Sequence, residues 1–399
     1  EQVVKVFPRS PKVLREAIKE GAVDKDSVNK GDKQQYRQQL AAFAKQKGYR
    51  PERELFRQFF DQKVMRAAFS QNQLQEVLTD FWFNHFNVSM TKGQCAPFIP
   101  SYERDAIRPH TTGKFADLLL ATAQSPAMLI FLDNFCSMVD NPKSGRGGLN
   151  ENYAREVMEL HTLGVDGGYT QEDVTQAARV LTGWMIYPLD RSGPAGVLRN
   201  RIEKLGEDRL AAEGFVHRGD FLFAPRRHDR TEKVVLGRKF SAGGGYEEGV
   251  ELLNMLAHHP AAAKFISRKL AIRFVSDDPP QSLVDKMAKT FLKKDGNIKE
   301  VLKVMIGSPE FWSKDVLRQK TKSPFELAIS SVRALNGTIE QPSRLYSWVE
   351  KMGQKLYFYQ APTGFPDKGR YWINTGSLLS RMNFGLALAA RRIPGVRMD

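Results

Sequence analysis

The chain lacks the features that define several large classes of protein. It has only 2 cysteines among 399 residues, which excludes a small scaffold held together by disulfides. It contains no uninterrupted apolar run of about 18 residues, the length that a transmembrane helix needs. The best run, residues 115–132, is interrupted by Asp117, Gln124, Ser125 and Pro126. We therefore expect no membrane span.

The short motifs of common catalytic sites are absent as well. The sequence has no Walker A loop, no GxGxxG, no GxSxG and no HExxH, and its cysteines form no CxxC pair. Sequence motifs therefore specify no reaction. Cys95 and Cys136 allow two interpretations: one disulfide in an oxidising compartment, or two reduced and buried apolar residues. The chain begins with Glu1 rather than methionine, which indicates a processed or truncated product.

What is present is an average globular composition with a strong positive charge. The chain is 41% hydrophobic and 26% charged, which excludes disorder, and its length suits one large domain or two ordinary ones. The 60 Lys and Arg exceed the 45 Asp and Glu, so the net charge of +15 favours an anionic partner or surface. No DNA- or RNA-binding motif accompanies this charge, and nucleic acid is therefore the least favoured partner.

Apolar residues recur at helical spacing along most of the chain. Leu74, Val77, Leu78, Phe81 and His85 are three or four residues apart and share one face of a predicted helix. A capping-box pattern predicts that another helix begins after residue 170 and runs to 185. Further helices are predicted at residues 150–164, 247–259, 260–274, 281–292, 297–307, 323–336 and 376–391.

Residues 186–245 differ, because they are rich in glycine, arginine and proline. Within them, the alternating runs Asp220–Ala224 and Lys233–Phe240 predict a small antiparallel hairpin. We therefore expect a mainly α fold, a large multi-helical domain with a small antiparallel β-hairpin flap. It would comprise an N-terminal helical half (1–185), the basic flap (186–245) and a C-terminal helical half (246–399) in one continuous domain.

The densest group of polar residues lies on the predicted helix that begins near residue 150. At about 100° per residue, Glu151, Asn152, Arg155, Glu156 and Glu159 occupy less than half of its circumference. The spacing of three of them also suits an ordinary solvent-exposed ladder of ion pairs. Alternatively, Glu156 and Glu159 line a cleft, where they hold a divalent cation or one of them acts as an acid with a raised pKa.

Two histidines lie on apolar helix faces. His85 continues the apolar face of its helix, and His161 lies in the middle of the apolar side of its own. Such a histidine is usually a core residue that forms a hydrogen bond to the backbone. Packing of the two helices could instead bring both rings to a metal site with a carboxylate. His228 lies in a predicted loop and is a third candidate, although an exposed loop histidine is the simpler interpretation.

An aromatic and proline-rich segment occupies residues 357–366 and leads to Tyr371 and Trp372. Flat aromatic side chains of this kind can stack on sugar rings or on peptides. The alternative is a packed connection that covers the core.

Several motifs occur in a fixed order along the chain. They are Trp82-Phe83-Asn84-His85-Phe86-Asn87, residues 150–164, residues 169–174, residues 178–184, His228-Asp229, Lys233, Leu236-Gly237, residues 322–326, Gly364-Phe365-Pro366, Trp372 and Asn374. With these motifs the chain resembles the bacterial "domain of unknown function 1800" family over most of its length. The Asn-Glu-Asn-aromatic-Ala-Arg-Glu helix is the most specific part of the resemblance.

The resemblance implies an exported envelope or extracellular protein whose family has no agreed activity. It therefore predicts a periplasmic or extracellular location. By motif position, the best site candidates are His85, Asn150, Glu151, Asn152, Arg155, Glu156, Trp184 and His228. His161 is a weaker candidate, because the family pattern also accepts Phe at that position.

The first functional hypothesis is a metal- or carboxylate-dependent enzyme that acts on an anionic or carbohydrate-rich envelope polymer. Glu156 would be a general acid/base, with His85 and His228 as ligands or proton carriers. A divalent metal ion, if present, would be held by Glu156, Glu159 and His85. The substrate-binding candidates are Asn150, Glu151, Asn152, Arg155, Trp184 and Lys233.

The second hypothesis is a non-catalytic binding or assembly module for an exported partner. The Asn-Glu-Asn helix would then be a buried polar network, and the basic flap would dock an acidic protein or polymer. The two hypotheses differ in exposure, because the enzyme needs His85 and Glu156 to border one solvent-filled hollow.

Overall fold

The structure is a computed structural model that describes residues 5–8, 10–24, 26, 28, 33–139, 148–189 and 193–398. It is mainly α, as predicted, and its sheets are small. The helices are α1 (Ser10–Lys19), α2 (Lys33–Gln46), α3 (Glu52–Phe69), α4 (Gln73–His85), α5 (Phe115–Gln124), α6 (Pro126–Phe131), α7 (Asn152–Glu156), α8 (Gln171–Val180), α9 (Gly193–Leu205), α10 (Glu207–Ala212), α11 (Tyr246–Ala257), α12 (Pro260–Phe274), α13 (Gln281–Lys293), α14 (Ile298–Gly307), α15 (Pro324–Ala334), α16 (Pro342–Lys351) and α17 (Thr375–Ala389). Short 3-10, α and π turns occupy residues 96–110.

Local signals set the ends of several helices. The prediction of residues 260–274 is confirmed to the residue, because Pro260 occupies the first turn and the His259 side chain accepts from the Ala261 amide. The capping box that begins α8 is also confirmed. Thr170 and Asp173 each accept a hydrogen bond from the other's backbone amide.

The Asn-Glu-Asn helix has an unusual second half. After α7, the chain continues as a π-helix over Val157–Leu163. The Thr162 hydroxyl donates to the Val157 carbonyl over 2.6 Å, five residues back. The π-helix ends before Gly164, whose φ of +83° is readily adopted only by glycine. The predicted glycine end of this helix is therefore confirmed, whereas its regular α geometry is not.

The flap contains more structure than the single hairpin that the sequence predicts. Strands β1 (Trp184–Ile186), β2 (Val216–Arg218) and β3 (Phe221–Phe223) form an antiparallel sheet in the order β1-β3-β2. Strands β4 (Lys233–Val235) and β5 (Arg238–Phe240) form a separate hairpin. The two alternating runs therefore do not pair with each other: the first pairs with β1 and β2, and the second folds back on itself as β4 and β5. Helices α9 and α10 precede β2.

Most of the chain shares one hydrophobic core. Its buried residues run from Phe59 to Val396 and come from both sides of the flap. The flap adds a small cluster around Tyr187 and Leu222, and α1 and α2 form another around Ala17 and Phe43. In β3, Phe221 and Phe223 belong to the main core and Leu222 to the flap cluster, so this strand joins the two. The division at residues 185 and 245 stays a prediction.

The C-terminal helices surround α3 and α12. Helices α15 and α16 pack against α3, while α12 packs against α13, which in turn contacts α14. A last strand pair, β6 (Thr338–Ile339) with β7 (Val396–Arg397), joins the end of the described chain to this group. Within the described ranges, every helix is too short or too polar to span a bilayer.

Candidate functional site

His85 lies in the core rather than on a surface. It is 2% exposed, and its Nε2 atom is 3.0 Å from the backbone oxygen of His161. The rings of Trp82 and Phe86 surround it edge-on. Burial, with the nearby charge of Lys269, lowers the pKa of His85 well below its ordinary value. The expectation that His85 and Glu156 border one solvent-filled hollow is therefore contradicted at His85, because the ring is sealed inside the protein.

His161 occupies the same buried aromatic cluster. Its ring centroid is 6.1 Å from that of His85 and 5.0 Å from that of Phe86. Neither ring nitrogen of His161 has a hydrogen-bond partner among the described residues. Burial lowers its pKa from 6.5 to about 3, so the ring is neutral at physiological pH.

His228 and Lys233 meet around a carboxylate that the motif analysis did not select. Glu248 Oε2 is 3.1 Å from His228 Nε2 and 2.7 Å from Lys233 Nζ. The side chains of His228 and Lys233 are fully buried, and that of Glu248 is 8% exposed. The Thr182 carbonyl holds the other ring nitrogen of His228 at 2.9 Å. This buried triad corrects the interpretation of His228 as a loop residue at an open site, and of Lys233 as a contact for substrate.

Trp184 lies in the core against α11, the helix that carries Glu248. Its ring is fully buried, stacks on Tyr246 at 5.5 Å, and meets Phe221 edge-on. A Cβ atom at position 249 would lie 2.4 Å from the Trp184 ring, so α11 can approach the ring only because residue 249 is glycine. The prediction that Trp184 binds substrate is not supported, because its ring is fully buried.

The Asn-Glu-Asn motif fastens the beginning of α7 to its neighbours. Asn150 Oδ1 accepts from the Asn152 amide, and Asn152 Nδ2 donates to the Leu132 carbonyl. Glu151 accepts hydrogen bonds from Arg155, Gln171 and Thr175, and the last two of these lie on α8. These side chains form a partly exposed network of paired groups that holds α7 against α8.

Glu156 and Glu159 follow on the same helix and are half-buried. Burial, followed by the negative charge of Glu159, raises the pKa of Glu156. Glu159 accepts from the Tyr169 hydroxyl over 3.2 Å. No group of three His, Cys, Asp or Glu side chains in the described part of the chain has a metal-binding arrangement. Glu156, Glu159 and His85 therefore do not form the expected ligand set in this structure.

A different set of polar groups does border open space. Arg273 on α12 reaches Glu326 on α15 at 2.9 Å and Asp80 on α4 at 3.8 Å. Asp80 also pairs with the buried Lys63, whose second partner is Glu103 at 3.3 Å. Four helices, α3, α4, α12 and α15, thus meet around one chain of alternating charges, and each supplies one member. The fifth member, Glu103, comes from the short turns at residues 96–110.

Two hollows border this charge network and a third adjoins the central one, and together we call the three the Arg273 groove. The central hollow, of about 770 Å³ including its mouth, is bordered by Asp80, Arg273, Glu326, Phe365 and Trp372. A second hollow shares the first three of these residues and has an apolar floor. The third shares the two aromatic residues and adds Tyr359 and Tyr371. The floor residues of the second hollow include Ala67, Val77, Phe325 and Ile329.

Two asparagines hold the aromatic segment beside this groove. Asn84 exchanges two hydrogen bonds with the backbone of Phe365, and Asn87 Nδ2 donates to the carbonyls of Tyr359 and Ala361. Gly364 has a φ of +69°, and a Cβ there would lie 2.2 Å from the Asn84 carbonyl oxygen. The motif around His85 thus serves mainly to position residues 357–366.

The site selection from sequence missed Glu248, Arg273 and Asp80. Nothing in the spacing of Arg273 distinguishes it from the other bases of α12. Glu326 had a signal, since it is the third residue of a capping box begun by Ser323, within a segment that carries the family resemblance. The glycine-phenylalanine-proline motif is the other signal that pointed to this groove.

The comparisons with known proteins give a family and no more. None of the curated proteins matches the chain, and none of the solved structures matches it. The sequence profile of DUF1800, a protein family of unknown function, matches residues 3–398, and the chain therefore belongs to the DUF1800 family.

Proposed function

We propose that the chain is a binding protein that holds an extended carbohydrate chain in the Arg273 groove. The observation that carries this proposal is that the central hollow adjoins both of the others. It shares its charged residues with the second hollow and its aromatic residues with the third. A groove of this shape suits a polymer better than a compact metabolite, because several units can lie in line.

The chemistry of the groove supports a polyhydroxylated ligand. Trp372 and Phe365 are 5.5 Å apart, are half-buried and offer flat apolar surfaces for sugar rings. Arg273, Glu326 and Asp80 are already paired with one another, so their remaining capacity suits hydroxyl groups that both donate and accept hydrogen bonds. Because these charged groups already neutralise one another, the ligand itself does not need to carry a charge.

Binding to purified peptidoglycan sacculi, measured by co-sedimentation, tests this proposal. Trp372→Ala is expected to weaken binding about tenfold, because a stacking aromatic is removed from the centre of the contact. Trp312→Ala is the matched control, since Trp312 is 71% exposed and lies outside the groove. Equal binding by the unaltered chain and Trp372→Ala, or no binding by either, would contradict the proposal.

A second candidate function uses Glu156 as a general acid or as a ligand for a divalent cation. It is supported by the raised pKa of Glu156, by the neighbouring Glu159 and by the π-helix, a geometry that is frequent at functional sites. Asn152 and Arg155 are exposed or half-buried beside it and would contact the substrate. His85 and His228 have no part in this version, because both rings are buried.

Release of soluble sugar from peptidoglycan, with and without added Zn²⁺ or Mg²⁺, tests the second function. Glu156→Gln should abolish release and leave the melting temperature within a few degrees. Glu172→Gln on the exposed start of α8 is the control. Undiminished release of sugar by Glu156→Gln would show that the activity does not depend on Glu156.

We also propose a periplasmic or extracellular location, which the resemblance to exported envelope proteins supports. Fractionation of cells that express the protein from its own gene should recover the chain outside the cytoplasm. Recovery with the cytoplasmic proteins would contradict this proposal.

A further inference from the structure

The last helix carries an apolar stripe that the described part of the chain leaves exposed. Leu378, Leu379, Met382 and Leu386 on α17 are between 47% and 67% exposed. At about 100° per residue, all four fall within an arc of about 100°. Isolated exposed apolar residues are ordinary, but four on one helix face form a contiguous patch.

The opposite side of α17 already anchors the helix to the protein. Phe384 and Leu388 are buried, and the Phe384 ring lies 6.0 Å from Trp348 on α16. The stripe is therefore not needed to hold α17 in place. It faces away from the core, and its other members, Thr375, Gly385 and Ala389, are small or uncharged.

The sequence around the stripe is basic. Residues 368–398 contain six Lys or Arg and no Asp or Glu. Lys368 and Arg397 form ion pairs with acidic residues elsewhere in the chain. Arg370, Arg391 and Arg392 are exposed, and none of the three forms an ion pair with another described residue.

These cations flank the stripe at both ends. Arg370 precedes α17, and Arg391 and Arg392 follow it. The exposed Tyr371 stands beside Arg370, which lies 5.7 Å from its ring centroid. Tyrosine beside a basic, leucine-rich helix face is typical of segments that lie at a membrane–water interface.

We propose that α17 lies on an anionic phospholipid bilayer, with Leu378, Leu379, Met382 and Leu386 inserted among the lipid chains. Arg370, Arg391 and Arg392 then contact the acidic headgroups. A second copy of the chain fits less well, because two such faces would bring like charges together. The four large side chains of the stripe carry no group that requires a hydrogen-bond partner, which suits hydrocarbon better than a polar protein surface.

Flotation with phosphatidylglycerol-containing vesicles and with pure phosphatidylcholine vesicles tests this inference. The chain is expected to bind the anionic vesicles, and the combined variant Leu379→Ser, Met382→Ser and Leu386→Ser is expected to bind at least about tenfold more weakly. Leu317→Ser is the matched control, because Leu317 and Leu386 are both 67% exposed. Circular dichroism of the triple variant verifies its fold.

A charge variant separates headgroup attraction from insertion. Arg391→Gln with Arg392→Gln should weaken binding to anionic vesicles several-fold and reduce its dependence on salt. Equal binding to both kinds of vesicle, unimpaired binding by the triple variant, or no binding at all would overturn the proposal. A dimer in ultracentrifugation that dissociates in the triple variant would overturn it in favour of self-association.

Discussion

Lys233 Nζ lies 2.7 Å from Glu248 Oε2, and both side chains are almost completely excluded from solvent. His228 adds a third polar group to the same carboxylate oxygen. A buried charge pair of this kind is costly to break, because removal of one partner leaves the other unpaired in the core. The flap is therefore joined to α11 by an interaction that tolerates little change.

Lys233→Met should lower the free energy of unfolding by about 3–5 kcal/mol, since Glu248 would lose its cationic partner. Guanidinium denaturation followed by circular dichroism measures this loss. Lys239→Met is the matched control on the same hairpin, because the Lys239–Glu232 pair is also 2.7 Å long but more than half exposed. Exposed pairs contribute about 0–1 kcal/mol, so similar losses in the two variants would contradict the role assigned to Lys233.

His161→Phe should change how stability depends on pH. The unfolded chain protonates this histidine near pH 6.5, whereas the folded chain does so only near 3. Protons therefore favour the unfolded state as the pH falls from 6.5 toward 3, and His161 costs about 1.4 kcal/mol per pH unit in that window.

The His161→Phe variant lacks this pH-dependent cost, so its free energy of unfolding should fall less steeply between pH 6.5 and 4 than that of the unaltered chain. At pH 7.5 it should be as stable or slightly more stable, because two buried nitrogens without partners are removed. Denaturation curves at several pH values give both results. Parallel curves across this range would show that His161 is protonated in the folded protein.

Gly364→Ala should destabilise the chain and displace the aromatic segment. The added Cβ would lie 2.2 Å from the Asn84 carbonyl oxygen, at a φ of +69°. Gly48→Ala is the matched control, since Gly48 has a φ of +72° and open space around its Cβ position.

Both variants share the backbone strain, of about 1 kcal/mol, whereas Gly364→Ala should lose about 1–3 kcal/mol more through the clash. Thermal unfolding compares the two losses, and hydrogen exchange at residues 357–366 reports the displacement. Equal losses would mean that the segment moves freely away from α4.

The two cysteines should differ in reactivity. Cys95 is buried, its thiol donates to the Ala127 carbonyl, and burial raises its pKa to about 12. Cys136 is exposed. A thiol reagent at pH 8 should therefore titrate one group in the native chain and a second only after denaturation, because only the thiolate reacts and Cys95 cannot form it. A chain without reactive thiols in either state would indicate a disulfide and contradict the structure.

Local sequence signals were enough for much of the secondary structure. Three such signals depend only on residues close in sequence, and each predicted a helix. They are the apolar spacing at Leu78 and Phe81, the capping box at Thr170 and the proline at position 260. The flap was harder, because strands of three residues carry little periodic signal. Their partners depend on which segments lie nearby.

The candidate site was harder still to predict from local sequence signals. The helical spacing correctly placed His85 on an apolar face, but spacing cannot distinguish a face that borders a cavity from one that is sealed by Trp82 and Phe86. The Asn-Glu-Asn helix was likewise recognised as polar and specific. Only the contacts of Glu151 with α8 show that much of that polarity holds two helices together.

The residues alone were sufficient to predict a basic, mainly helical protein of one family, many helix ends and an aromatic segment that leads to Trp372. Three features could be seen only in the folded chain: Asp80, Arg273 and Glu326 meet, Lys233 is buried against Glu248, and one face of α17 is exposed in the described part of the chain. The difference lies in the distance along the chain over which each interaction acts. Helix formation depends on neighbours within one or two turns, whereas burial and charge pairing depend on residues that approach only when the whole chain has packed.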